Sequence, residues 1–298
     1  MNKTIRQSLV PYTAVLLLAP LAATCAADSK PNIVIIFIDD MGYGDIGQFG
    51  ATTQKTPQLD RMAREGIKFT HFYAAPVCSV SRAQMMTGCY GVRVSVPGVY
   101  SPASRYGLNP TEHTVAERLK EHGYATMCIG KWHLGDQPAF LPGKQGFDHY
   151  FGIPYSNDMQ RKATQTGERV VPLVRDDQVL ELLAEEGQCR LVERYTAEAI
   201  GFIREKKDNP FFLYLPHTAV HTPIHPGAAF GAEIDAWEKR AKPFHNYSID
   251  AQIGPSPLTL TQEFAHMTRR DLLTGVLVRG ILMFATAAAQ IAPPAAPL

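Results

Sequence analysis

The sequence predicts an α/β fold, a largely parallel sheet flanked by helices. Three observations predict it. Short, continuous β-branched and aromatic runs read as strands buried on both faces. Stretches with helical start and stop signals separate those runs. Each run empties into polar residues of chemistry-bearing types, the side on which ligands bind in such sheets.

The first run is "NIVIIFI", Asn32 to Ile38, and it stops at the paired carboxylates Asp39 and Asp40. In the glycine-rich "MGYGDIGQFG" that follows, Asp45 can hold the loop backbone. Thr56 can cap a helix with Pro57 in its first turn, Leu59, Met62 and Ala63 on one face, and Gly66 at its end. "CSVSRAQMMTG", residues 78 to 88, reads as a short helix opening at Cys78. Thr114 and Glu117 fit a capping box for a helix reaching about Gly123. "YATMCI", Tyr124 to Ile129, is then a strand ending in "GKWHLG", with Lys131 and His133 beyond it and Trp132 as packing. A last helix, about Val192 to Lys206, precedes Asn209, Pro210 and the strand "FFLYL", Phe211 to Leu215. That strand runs into "PHTAVHTPIHP" with His217, His221 and His225.

The 298 residues carry 29 basic and 28 acidic side chains. That balance provides no global field for nucleic acid or an acidic membrane, so a charged substrate must be met by a local site. Lys3 and Arg6 ahead of the apolar run Ala14 to Ala23, with small residues through Ala27, have the order of a secretory signal. Residues 1 to 27 are therefore expected to direct export, to a periplasm or the medium. Cys78, Cys89, Cys128 and Cys189 would remain, too sparse to staple a chain of this size but able to form up to two disulfides. Arg279 and Gln290 argue against a membrane anchor over residues 272 to 291.

"PNIVIIFIDDMGYGDIG", "PVCSVSRAQMMTG", "GKWHLG", "FGIPYSNDM" and "FFLYLPHTAVHTP" resemble, in order, the signature segments of the sulfatase family, within the alkaline-phosphatase-like superfamily. The resemblance covers residues 31 to 226, which would form the catalytic domain, and implies release of sulfate from sulfate esters. It puts on Cys78 the cysteine that dedicated machinery oxidises to formylglycine, whose hydrate is the nucleophile. A helix start is suited to that role, because free N–H groups and the helix dipole favour developing negative charge. Asp39 and Asp40, with the oxygen derived from Cys78, would hold a divalent cation, calcium or alternatively magnesium. Arg82 would steady the nucleophile and the metal carboxylates. Lys131 would clamp the sulfate, His133 would act as base, and His221 would serve the leaving-group side. His217 and His225 are expected to be structural. Asn157 and Asp158 fit the substrate mouth and a plain turn equally well.

The pattern is broken in places. Position 80 is Val where the family has Pro or Ala, which bears on conversion of Cys78. Position 89 is Cys, and a Cys78–Cys89 disulfide would silence the nucleophile. No Asp-Asn-Gly strand follows residue 226 to complete the metal site, and Asp208-Asn209 precedes its strand instead of following it. The sheet is thus expected to be incomplete at its carboxyl-terminal side, with residues 227 to 298 a tail without family resemblance. Two rival readings stay open: an inactive remnant, and a phosphate or phosphonate ester hydrolase on the same scaffold.

Overall fold

A computed structural model of the chain describes residues 30–52 and 55–227. Residues 1 to 27, expected to direct export, and the tail beyond residue 227 lie outside the described residues.

Strand β1, Ile33–Phe37, is followed by helix α1, Pro57–Glu65, and helix α2, Cys78–Thr87. Helix α3, Val115–Glu121, leads into β2, Ala125–Lys131, and then β3, His149–Ile153. A short β4, Arg161–Lys162, precedes the hairpin of β5, Arg169–Arg175, and β6, Gln178–Leu183. The one-turn α4, Glu185–Gln188, and the long α5, Leu191–Lys206, then bring the chain to β7, Phe211–Pro216. The sheet order is β1-β7-β2-β3-β5-β4, with β6 on β5.

The expected strands and helices are all present, and β1, β7, β2 and β3 run parallel. Beyond β3 the sheet is antiparallel, since β5 turns back against β3, β4 and β6. The sheet is therefore mixed, and its parallel half carries the predicted elements. Alternate side chains explain the continuous apolar runs. Ile36, Ile38, Met127, Ile129, Leu213 and Leu215 face a core with Tyr195, Ala199 and Phe202 of α5. Ile35, Phe37, Cys128, Phe212 and Tyr214 face the opposite core with Ala83 and Met86 of α2. Both faces are dry, so every strand position of β7 is buried.

Local signals act as expected, with one exchange. Thr114 Oγ1 accepts from Glu117 N at 3.1 Å and Glu117 Oε2 accepts from Thr114 N at 2.7 Å, closing the capping box of α3. Thr56 heads α1 without capping it. Its hydroxyl accepts from Gly47 N at 2.8 Å and donates to Asp60 Oδ1 at 3.1 Å, tying the glycine-rich loop to the helix. Asp45 Oδ2 accepts from Gly42 N at 2.7 Å within that loop.

Candidate active site

Because β1, β2 and β7 are parallel neighbours, their carboxyl ends share one rim. Asp39 follows β1, Lys131 closes β2, and the 217–221 loop follows β7. That loop is sewn to the end of β1: His217 N donates to Phe37 O at 2.7 Å, Asp39 N to Ala219 O at 3.1 Å, and Val220 N to Asp39 O at 2.7 Å.

Asp39 is the hub. Its Oδ2 pairs with the Lys131 ammonium and lies 3.3 Å from Arg82 Nη2, all three side chains being fully buried. Burial alone would raise the Asp39 carboxyl pKa, but Lys131 and Arg82 override it and bring it down to about 2. Arg82 comes from α2, donates to the Lys131 carbonyl and lies over the Phe37 ring at 5.3 Å. It is thus no solvated surface arginine. Asp40, with φ of 63°, points a carboxyl that burial and the neighbouring Asp39 charge push upward. His221 Nε2 stands 3.7 Å from its Oδ2.

Cys78 begins α2, and its Sγ lies 3.2 Å from His133 Nδ1. His133 Nε2 is 2.9 Å from the Tyr100 carbonyl, which can only accept, so Nε2 carries the hydrogen and Nδ1 presents a lone pair to position 78. Burial, with the Lys131 and Arg82 charges adding to it, holds the imidazole pKa well below its ordinary value. A neutral acceptor faces the helix start where a nucleophile would sit.

The structure adds Ser156 to the residues singled out in the sequence: its Oγ accepts from Lys131 Nζ at 2.9 Å and it is 1% exposed. Asn157 is equally buried, while Asp158 is exposed; the backbone turns there, Met159 N reaching Ser156 O at 3.1 Å. The turn reading therefore holds for the backbone, and the Asn157 side chain is buried. His217 is buried, stacks edge-on to Tyr195 at 6.2 Å between centroids, and has its pKa lowered to about 3 by burial. Trp132 is fully buried, its Nε1 donating to Phe140 O at 2.8 Å.

Asp39 Oδ1 is buried without a partner, and a like-charged neighbour stands beside it, so this pair suits a hard cation in kind. In number it does not: among the described residues no three His, Cys, Asp or Glu side chains are grouped to hold a metal. Cys78 therefore does not join Asp39 and Asp40 as a ready three-ligand cluster, its sulfur being engaged with His133. Cys78 and Cys89 are both free thiols, and they are separated by the length of α2. Ten residues of helix rise about 15 Å, twice the reach of a disulfide.

The Sulfatase family model matches residues 31–252. This chain belongs to the sulfatase family. It is 38% identical over 228 residues to N-acetylgalactosamine-6-sulfatase of Rattus norvegicus, covering 68% of this chain and 42% of that protein. With arylsulfatase A of Homo sapiens it shares 41% identity over 236 residues, 72% of this chain and 46% of the relative. Among solved structures, the PsFucS1 sulfatase from Pseudoalteromonas sp. superimposes with a TM-score of 0.70 at 23% identity, over 87% of this chain and 55% of the other. That likeness shows the alkaline-phosphatase-like fold. The chain spans less than half the length of these two curated relatives.

Proposed function

We propose that this sulfatase-family chain hydrolyses sulfate esters, and that it does so after export. The observation that carries the reading is the Cys78–His133 pair, set at the start of α2 within the rim that also holds Asp39, Arg82 and Lys131. Formylglycine made from Cys78 would supply, as its hydrate, the oxygen nucleophile that water renews. His133 Nδ1, 3.2 Å from the Cys78 sulfur, would take a proton at that position. The Lys131 ammonium, steadied by Ser156 and Asp39, meets the anionic sulfate. His221, across the rim, is the side chain suited to give a proton to the departing oxygen. A divalent cation, calcium or alternatively magnesium, would find in Asp39 and Asp40, and in the oxygen that replaces the Cys78 sulfur on conversion, only part of the roughly six to eight oxygens calcium seeks, and would offset the charge of the sulfate.

Val80, the residue that departs from the family pattern, packs its Cγ1 against the Cα side of Gly91 in the folded chain. Conversion reads the unfolded peptide, so the mass of the proteolytic peptide containing Cys78 decides whether aldehyde forms. The functional test is sulfate release from 4-nitrophenyl sulfate by the chain expressed with formylglycine-generating machinery. Release is expected to vanish in Cys78→Ala, and equal release by both proteins would overturn the proposal.

A further inference from the structure

His221 reaches the rim from a loop whose heading is set by a side chain outside the group just described. Asn157 is 3% exposed, and its Nδ2 donates to the Pro223 carbonyl at 3.0 Å. The preceding carbonyl, Thr222 O, lies 2.6 Å from His221 Nδ1 and can only accept, so Nδ1 carries a hydrogen and Nε2 is left to face Asp40 and the rim. The amide thus grips the carbonyl one residue past the one that orients the imidazole. On the other side its chain neighbour, Ser156, holds Lys131. The step from Ser156 to Asn157 therefore spans the site, with the sulfate-facing ammonium tied to one residue and the leaving-group imidazole to the next. The second amide atom, Asn157 Oδ1, is buried without a partner. An amide kept in such a place despite an unmade hydrogen bond has its use in the bond it does make.

We propose that Asn157 is the positioning residue of His221: it fixes the 222–223 turn, and through it the tautomer and direction of the imidazole. The inference rests on the reading of His221 as the group serving the departing oxygen. Its signature is a loss that depends on the leaving group. With Nδ1–H committed to the Thr222 carbonyl, Nε2 takes up a proton from solvent and hands it to the departing oxygen, and misaiming that nitrogen costs little when this oxygen is weakly basic and much when it is strongly basic. A merely structural role would lower both rates together.

Two measurements on the full chain test it. In the first, kcat is compared for 4-nitrophenyl sulfate and phenyl sulfate in wild type, Asn157→Asp, which keeps the shape and removes the donor, and Asn157→Ala. Each variant is expected to lose about tenfold or more on phenyl sulfate and under about threefold on 4-nitrophenyl sulfate, with KM nearly unchanged. In a His221→Ala background Asn157→Asp is expected to add no further loss. Equal losses on the two esters, or an additive double variant, would overturn the proposal. In the second, the ring ¹⁵N signals of His221 are recorded without substrate. They are expected to show the Nδ1–H tautomer in wild type and in Asp158→Asn, and a shifted mixture in Asn157→Asp and Asn157→Ala. Unchanged signals in both Asn157 variants would equally overturn it. A wild type that releases no sulfate, together with a His221 ring that responds to Asn157, would reject the enzymatic reading and keep the positioning role.

Discussion

Lys131, the residue proposed to meet the sulfate, also bears on stability. Its ammonium and the Arg82 guanidinium share the buried Asp39 carboxylate, and removing one partner from such a group exposes a desolvation cost that the remaining one cannot offset. Lys131→Met is expected to lower stability by about 3 kcal/mol at neutral pH, read from urea unfolding. The acid side of the same network has a definite sign. With the folded Asp39 pKa at about 2 and an unfolded aspartate near ~4, the unfolded chain takes up the proton first between those values. The Asp39 contribution is thus complete above about pH 4 and lost as the pH falls through about 2. The stability difference between wild type and Asp39→Asn should shrink by about 2 kcal/mol over that window, and a difference that stays constant would refute it. Asp39, Lys131 and His133 could be singled out in the sequence because their residue types stand at or just after strand ends, whereas Cys78 at its helix start drew its role from the resemblance of the neighbouring segments. Ser156 could not be singled out, and Asn157 fits a substrate mouth and a plain turn alike, since a serine and an asparagine in a turn look the same whether they face solvent or a buried ammonium.

Among the elements, the legible ones were those whose burial is written as an unbroken apolar run. β1, β2 and β7 lie between two dry layers, so no polar alternation interrupts them. The antiparallel extension was hidden for the opposite reason. β6 is exposed along all but its last residue, and β5 holds Pro172 inside its ladder with a register shift at Leu173/Val174, features that argue against a strand when read locally. β3 escaped notice because 3-10 turns, not an α-helix, link it to β2. Two elements also show where backbone identity is decisive. Gly130, at φ of 129°, sits so close to β7 that an added Cβ would overlap the Pro216 carbonyl. Gly130→Ala must therefore separate β2 from β7 where Lys131 and His217 emerge, and a loss of roughly 3 kcal/mol, seen as a markedly lower Tm, is expected. Thr114→Ala removes only one arm of the α3 capping box. About 1 kcal/mol is expected there, and a loss as large as that of Gly130→Ala would contradict the ranking.

For the molecule as a whole, the parallel half of the sheet gathers residues from Asp39 to His221 onto one rim, and charge balance at that rim is the unsettled quantity. Lys131 and Arg82 compensate Asp39, whereas Asp40 is raised by burial and by its neighbour, with only His221 and the more distant cations opposing. The divalent cation proposed for this pair would relieve that repulsion in the folded state alone, and its binding would then stabilise the fold by mass action. The described residues supply two carboxylates where calcium seeks six to eight oxygens, so an affinity in the weak range of about 10⁻⁴ to 10⁻³ M is expected. At a concentration of about 100 times Kd the gain is about 2.7 kcal/mol. For a domain of this size that amounts to a rise of several degrees in Tm. Thermal melts of the full chain with calcium, and after chelation, read this directly. Asp39→Asn and Asp40→Asn should each abolish the calcium-dependent rise, while Asp158→Asn, at an exposed position, should retain it. A rise that survives in both variants would mean that the cation binds elsewhere and that the carboxylate pair after β1 has another purpose.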